Sequence, residues 1–148
     1  MPCAREHGGA EIDWAELRAQ ATRAAQNAYA PYSGLRVGAA GLASDGRIYV
    51  GCNVENACLG LTLCAECGLV SNLVARGAGA LVAVSIVAAD GRSVVPCGRC
   101  RQLLIEQASL GLVLDQGPGA PPRLLQDLLP EAWRSSGDMP TPGLSRAS

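Results

Sequence analysis

Behind Asp13, the residues Trp14, Leu17, Ala21, Ala24, Ala25 and Ala28 recur at three- and four-residue intervals until Pro31. Glu16, three positions after Asp13, completes a capping box, so the pattern predicts a first helix over 14–28. Val37 to Ala43 and Arg47 to Cys52 are short apolar or β-branched runs split by Ser44-Asp45-Gly46, the signature of a hairpin. From Cys64 the period turns helical again through Leu69, Leu73 and Val74 and stops at Gly77. Leu81 to Ala88 reads as a buried strand ended by Asp90-Gly91, and Pro96 opens a helix over 97–107. Leu112 to Leu114 forms a short strand and Arg123 to Leu129 a short final helix. The order α-β-β-α-β-α-β-α contains no internal repeat. It predicts an α/β fold of three layers, α/β/α, with helices on both faces of one mixed β-sheet.

The chain has 148 residues, 49% of them apolar, which suits one domain with its own core. We expect that domain over 12–136, between a flexible segment at 1–11 and a flexible Pro-, Gly- and Ser-rich tail at 137–148. The net charge of -1 and the scattered arginines leave no basic stripe for a phosphate backbone, so no nucleic-acid partner is expected. The longest apolar run, 81–89, is too short for a bilayer, and no secretory leader is evident, so the expected location is the cytoplasm, away from membrane. Seven cysteines, four of them in two Cys-x-x-Cys pairs, point in a reducing compartment to metal or redox chemistry rather than to disulfides.

Two absences narrow that chemistry. There is no lysine, which removes phosphate-loop and Schiff-base lysines. His7 is the only histidine and stands among glycines near the start, which removes zinc sites built on two imidazoles. We read His7 as a solvated residue, and Cys3, Cys52 and Cys58, which lack partners at metal spacing, as small buried or tail residues.

Cys97 and Cys100, three apart at the start of a helix, project from one face of its first turn. The positive end of the helix favours their thiolates, the form zinc binds. Cys64 starts the preceding helix and is the candidate third sulfur. Three protein ligands leave one tetrahedral position for water, the mark of a catalytic rather than a structural zinc. Glu66, two residues after Cys64, is placed to carry a proton between that water and a substrate nitrogen without touching the metal. A second way of writing the same residues uses Cys67 as a fourth ligand in a closed structural site, although residues 68–96 separate the pairs by more than the ~15 to 20 usual in zinc ribbons. A thioredoxin-like redox pair would explain only one of the two motifs.

Cys64-Ala65-Glu66 together with Pro96-Cys97-Gly98-Arg99-Cys100-Arg101-Gln102 resembles the zinc signature of cytidine deaminases. Ala30-Pro31-Tyr32-Ser33, Val37-Gly38-Ala39-Ala40, Asn53-Val54-Glu55-Asn56 and Leu128-Leu129-Pro130 are also similar to the small homotetrameric nucleoside deaminases, over about residues 12–133. The resemblance implies a cytidine deaminase-like fold, one Zn2+ per chain on Cys64, Cys97 and Cys100, and a homotetramer. It further implies that Asn53 and Glu55 bind ribose, that Glu66 contacts ring N3, and that the Ala65 backbone amide meets the C2 carbonyl. The implied reaction is hydrolytic deamination of cytidine and deoxycytidine to uridine and deoxyuridine in pyrimidine salvage, with ammonia released.

The chain departs from the family at three places, Leu35, Leu59 and Cys67. Leu35 and Leu59 stand where aromatic pocket walls are usual, and Trp133 lies near the place of a C-terminal aromatic that lines a neighbouring copy's site. These changes keep open a deaminase of a modified cytosine nucleoside, such as a nucleoside antibiotic, although Glu55 weighs against it. Cys67 occupies the place of an arginine that, in many members, hydrogen-bonds the zinc thiolates. Arg99, between two ligands in sequence, is the nearest candidate to offset the lost charge. A structural-zinc interaction domain would leave Glu66 and the Asn53/Glu55 pair without a purpose.

Overall fold

The computed structural model describes residues 11–134. His7, Cys3 and both expected flexible ends, apart from the last residue of the first segment, lie outside the described residues, as do the last two residues of the expected domain. The chain folds as α1 (Trp14–Gln26), β1 (Val37–Ala43), β2 (Ile48–Cys52), a 3₁₀ turn (Leu59–Leu61), α2 (Ala65–Ala75), β3 (Leu81–Ala88), α3 (Gly98–Glu106), β4 (Ala108–Leu114), β5 (Arg123–Leu124) and a second 3₁₀ turn (Leu125–Leu128).

The sheet runs β2-β1-β3-β4-β5. The β1/β2, β1/β3 and β4/β5 pairs are antiparallel, while β3 and β4, joined through α3, are parallel. Alternate residues of the central strands feed two separate cores. On one face Leu17 and Ala21 of α1 pack on Ala40, Ala83 and Val87. On the other, Leu69 and Leu73 of α2 and Leu104 of α3 pack with Ala39, Val84 and Ile86. The expected three layers around a mixed sheet are therefore present.

Asp13 caps α1 by accepting the Glu16 amide at 2.9 Å. The helix ends two residues before Ala28 because its last carbonyls have other partners. The Arg36 guanidinium bonds the carbonyls of Ala25 and Gln26, and Tyr29 pairs with the Asn53–Glu55 segment through Tyr29 N to Asn53 O at 3.1 Å and Glu55 N to Tyr29 O at 2.8 Å. The hairpin turns at Gly46, at φ +80°. The end of α2 is a Schellman motif: Ala78 N reaches Leu73 O at 3.1 Å, Gly77 N reaches Val74 O at 3.0 Å, and Gly77 has φ +63°.

One expected element is replaced. In place of a helix from Arg123 to Leu129, Arg123 and Leu124 pair with Leu114 and Val113 as an edge strand, and only 125–128 coil. Pro121-Pro122 deliver the chain extended to an open sheet edge, and burying Leu125 at 1% exposure then turns it inward. The short strand expected at 112–114 begins earlier, at Ala108, where it pairs in parallel with Leu81. No helix among the described residues is long and apolar enough to cross a membrane.

Two glycines let the helices approach the sheet. A Cβ on Gly38 would lie 1.9 Å from the Ala21 carbonyl oxygen, and one on Gly51 would lie 2.1 Å from Leu69 N and 2.4 Å from Ala65 O. The second contact sets the height of the start of α2 above β2, and with it the site.

Candidate zinc and catalytic site

Cys64 and Cys97 are the N-cap residues of α2 and α3, and neither side chain caps its own helix. An N-cap side chain usually accepts a first-turn amide. Here the sulfurs turn away from that task, and the positive ends of two helices are left facing a ligand. The Sγ atoms of Cys64, Cys97 and Cys100 all lie within 4.8 Å of one another. Cys64 and Cys97 are 3.9 Å apart. Zn–S bonds of about 2.3 Å at tetrahedral angles require sulfurs about 3.8 Å apart, so the Cys64–Cys97 separation matches zinc and all three sulfurs lie close enough to share one ion. Cys67 is outside this cluster, its sulfur lying 3.5 Å from Arg99 Nη2. The closed four-thiolate arrangement is not formed.

Without metal the three thiols do not ionise alike. Burial pushes Cys64 upward, and burial together with the Glu66 charge pushes Cys100 upward. Cys97 is lowered: burial opposes ionisation there too, but hydrogen bonds from the Cys100 backbone and thiol outweigh it. Of the two thiols expected to favour thiolate at the start of α3, Cys97 shifts in that direction and Cys100 in the other. A dication must supply the remaining drive toward thiolate.

Glu66 is the second residue of α2, in its first turn, and is 4% exposed. Burial raises its carboxyl pKa, against smaller opposing effects of its own amide, the Cys100 thiol and the Arg99 charge. Ala65, at the first helical position, is 1% exposed.

The segment carrying Asn53 and Glu55 is brought to Cys64 by a two-way bridge, Val54 N to Leu63 O and Leu63 N to Val54 O, each 2.9 Å. Both candidate ribose groups are already engaged in shaping this corner. Asn53 Oδ1 accepts the Val37 amide at 2.8 Å, and Nδ2 donates to Leu35 O at 2.9 Å. Glu55, 8% exposed, accepts the amides of Tyr32 and Ser33 at 2.9 and 3.2 Å and the Ser33 hydroxyl. The Ser33 hydroxyl, helped by these amides, holds the Glu55 carboxyl below its ordinary pKa despite burial. An ionised carboxylate offers about four lone-pair sites and an amide side chain about four hydrogen-bonding positions, so each keeps capacity for a further partner.

Three features of this corner were not predicted from the sequence. Ser33 lies in the Ala30-Pro31-Tyr32-Ser33 motif, yet its contact with Glu55 needs the 22-residue separation to close. Thr62 offers its carbonyl to Arg99 Nη2 at 3.2 Å. Gln102 clamps the Trp133 backbone from both sides, Nε2 to Trp133 O at 2.9 Å and Trp133 N to Oε1 at 3.1 Å, with the residue 71% exposed. Leu35 and Leu59, at the positions of the missing aromatic walls, are exposed as well.

Residues 13–113 match the family described as cytidine and deoxycytidylate deaminase zinc-binding region. A cytidine deaminase of Mycobacterium tuberculosis is 50% identical over 123 residues, which is 83% of this chain and 91% of that protein. One from Sporosarcina psychrophila is 43% identical over 95 residues, covering 64% of this chain and 70% of that one. The crystal structure of the M. tuberculosis cytidine deaminase superimposes with a TM-score of 0.80 over 84% of this chain and all of that one. The Mycobacterium leprae enzyme gives 0.77 at 47% identity, over 82% of this chain and 100% of that one. With its three thiols converging on a zinc-sized space and the family match covering both cysteine motifs, the chain belongs to the cytidine and deoxycytidylate deaminases.

Proposed function

We propose that the chain is a zinc-dependent hydrolytic deaminase that converts cytidine and deoxycytidine, with water, to uridine and deoxyuridine and ammonia. The observation that carries this reading is the triad of thiols at the uncapped starts of α2 and α3 with the buried Glu66 two residues from Cys64. Cys64, Cys97 and Cys100 would hold one zinc per chain. When bound, zinc would lower the pKa of a water far below its bulk value, toward about 7, so that it could act as a nucleophile at neutral pH.

The chain's own residues do the rest. Glu66 accepts a proton from the attacking water, delivers it to ring N3, and assists departure of the C4 amine as ammonia. Its buried setting, which raises the carboxyl pKa, suits a group that must both take and give a proton near neutral pH. The Ala65 amide, at the uncapped start of α2, receives the C2 carbonyl in this reading. Asn53 and Glu55, held by the 32–37 loop, use their remaining hydrogen-bonding capacity on the ribose hydroxyls. Neither competing reading gains support: Cys67 stands outside the thiol cluster, and the relatives matched are cytidine deaminases.

We further propose one catalytic domain over 12–136, a homotetramer acting in pyrimidine salvage, and a cytoplasmic location. Leu59, Leu61, Val95 and Trp133, all more than half exposed in the single chain, favour burial between copies. Free cysteines throughout the described residues suit a reducing compartment. An ultraviolet assay of the purified zinc protein with cytidine, deoxycytidine and free cytosine tests the activity. Nucleoside turnover with little or none on free cytosine is expected, and inert nucleosides would refute it. Sedimentation at micromolar concentration tests the tetramer, which a monomer would contradict.

A further inference from the structure

Three thiolates on one dication carry a net charge of -1, and the only histidine of the chain lies outside the described residues. A compensating cation is therefore needed near the sulfurs. Arg101, although adjacent to Cys100, is engaged by Pro96 O at 2.9 Å and Leu128 O at 3.1 Å. Arg99 is not. Its Nη2 lies 3.8 Å from Cys64 Sγ, 3.5 Å from Cys67 Sγ and 3.2 Å from Thr62 O, and it makes no ion pair with a carboxylate among the described residues.

We propose that Arg99 is a positioning residue for the zinc site: from α3 it reaches across to the start of α2, balances the thiolate charge and fixes Cys64 in its ligating position. The inference rests on the assignment of Cys64, Cys97 and Cys100 as zinc ligands. Two aspects of the geometry carry it, and the shorter of the two sulfur contacts, to Cys67, lies on the same helix start as the ligand Cys64. Arg99 sits between Cys97 and Cys100 in the chain, yet its hydrogen bonds go to Thr62, Cys64 and Cys67 at the start of the other helix. It thus ties together the two helix starts that must meet around the ion. Cys67 makes the reach possible, because a short side chain one turn into α2 leaves room for a guanidinium arriving from the facing helix. Arg99 is exposed, so solvent screens its charge, and the directed N–H···S contact carries much of the effect. Partners that orient metal ligands are typically worth about 10 to 100-fold in metal affinity.

The test measures zinc affinity by competition with a chromophoric chelator, in wild type, Arg99→Ala, Arg99→Lys, Arg99→Ala with Cys67→Arg, and Arg92→Ala as an exposed-arginine control. Arg99→Ala is expected to weaken zinc binding about 10 to 100-fold, with Arg99→Lys between it and wild type. A guanidinium returned from position 67 should recover most of the loss. Arg92→Ala should match wild type, and melting of the zinc-free proteins should be the same with and without Arg99, since its role is toward the ion rather than the fold. Wild-type zinc affinity in Arg99→Ala, or a Cys67→Arg change that recovers nothing, would overturn the proposal while leaving the zinc site standing. Failure of wild type itself to hold zinc would instead sink the site assignment.

Discussion

Cys64 Sγ and Cys97 Sγ lie 3.9 Å apart although 33 positions separate them in the chain, each at the uncapped start of a different helix. Two helix N-termini pointing at one place hold partial positive charge that favours thiolates but would repel one another without an anion or thiolate between them. The fold therefore tolerates this convergence best when the sulfurs are ionised and bound.

Cys67 provides the sharpest distinction between an open and a closed metal site. Because its sulfur faces Arg99 rather than the cluster, Cys67→Ser is expected to retain one zinc per chain and substantial deaminase activity, whereas Cys64→Ser should lose the metal. Zinc content by atomic absorption decides it, and a zinc-free Cys67→Ser protein would revive the four-thiolate reading.

Glu66→Gln preserves shape and leaves all three thiols in place but cannot take up a proton. Zinc content should be unchanged while kcat for cytidine falls by at least about 10²- to 10⁴-fold, the usual worth of a positioned acid/base. Near-normal turnover in this variant would remove Glu66 from the mechanism.

Asn53 and Glu55 hold the 32–37 loop and are also the proposed partners of the ribose, so their substitutions carry two signatures. Asn53→Ala and Glu55→Ala should raise KM for cytidine and also lower the melting temperature, since the part-buried hydrogen bonds from the Tyr32, Ser33 and Val37 amides and the Ser33 hydroxyl lose their acceptors. Unchanged cytidine kinetics alongside lowered stability would restrict both residues to a structural role.

The same carboxylate predicts a pH dependence. Its folded pKa is depressed, with the Ser33 hydroxyl as the largest cause, so its stabilisation is complete above the unfolded value of about 4.3 and is lost as pH falls through the lower folded value. The gap in melting temperature between wild type and Glu55→Gln should therefore be constant from pH 7 to pH 5.5 and narrow below about pH 4. A gap that widens on acidification would show that the sign is wrong.

Gly51 makes the position of the site depend on a backbone contact. An alanine Cβ there would lie 2.1 Å from Leu69 N, and backbone cannot yield as a side-chain tip can. Gly51→Ala should cost at least about 1–3 kcal/mol, as overpacking does. It should also weaken zinc binding, because α2 must lift and carry Cys64 with it. Full stability with intact zinc affinity would show that the helix is free to move.

Much of this protein is legible in one dimension, and the reason is local. Capping chemistry at Asp13 and Glu16, the hairpin glycine at 46, the C-terminal glycine of α2 and the short apolar runs of the strands act within a few residues, so the pattern alone located β1 and β3 to the residue and α2 and α3 to within two. The two cysteine pairs marked a metal site for the same reason, since the three-residue spacing of Cys97 and Cys100 on a helix start is itself the geometry. What the sequence left open was every question settled by distant partners. Whether Cys67 joins the cluster depends on how α2 faces α3. The last segment pairs as a strand because β4 leaves an edge free beside it, and α1 stops early because Arg36 and the 53–55 segment take its final groups. Periodicity carries no information about such long-range competition for hydrogen bonds, and only the packed sheet, with its helices seated on Gly38 and Gly51, brings Glu55 to Ser33 and Arg99 to Cys64.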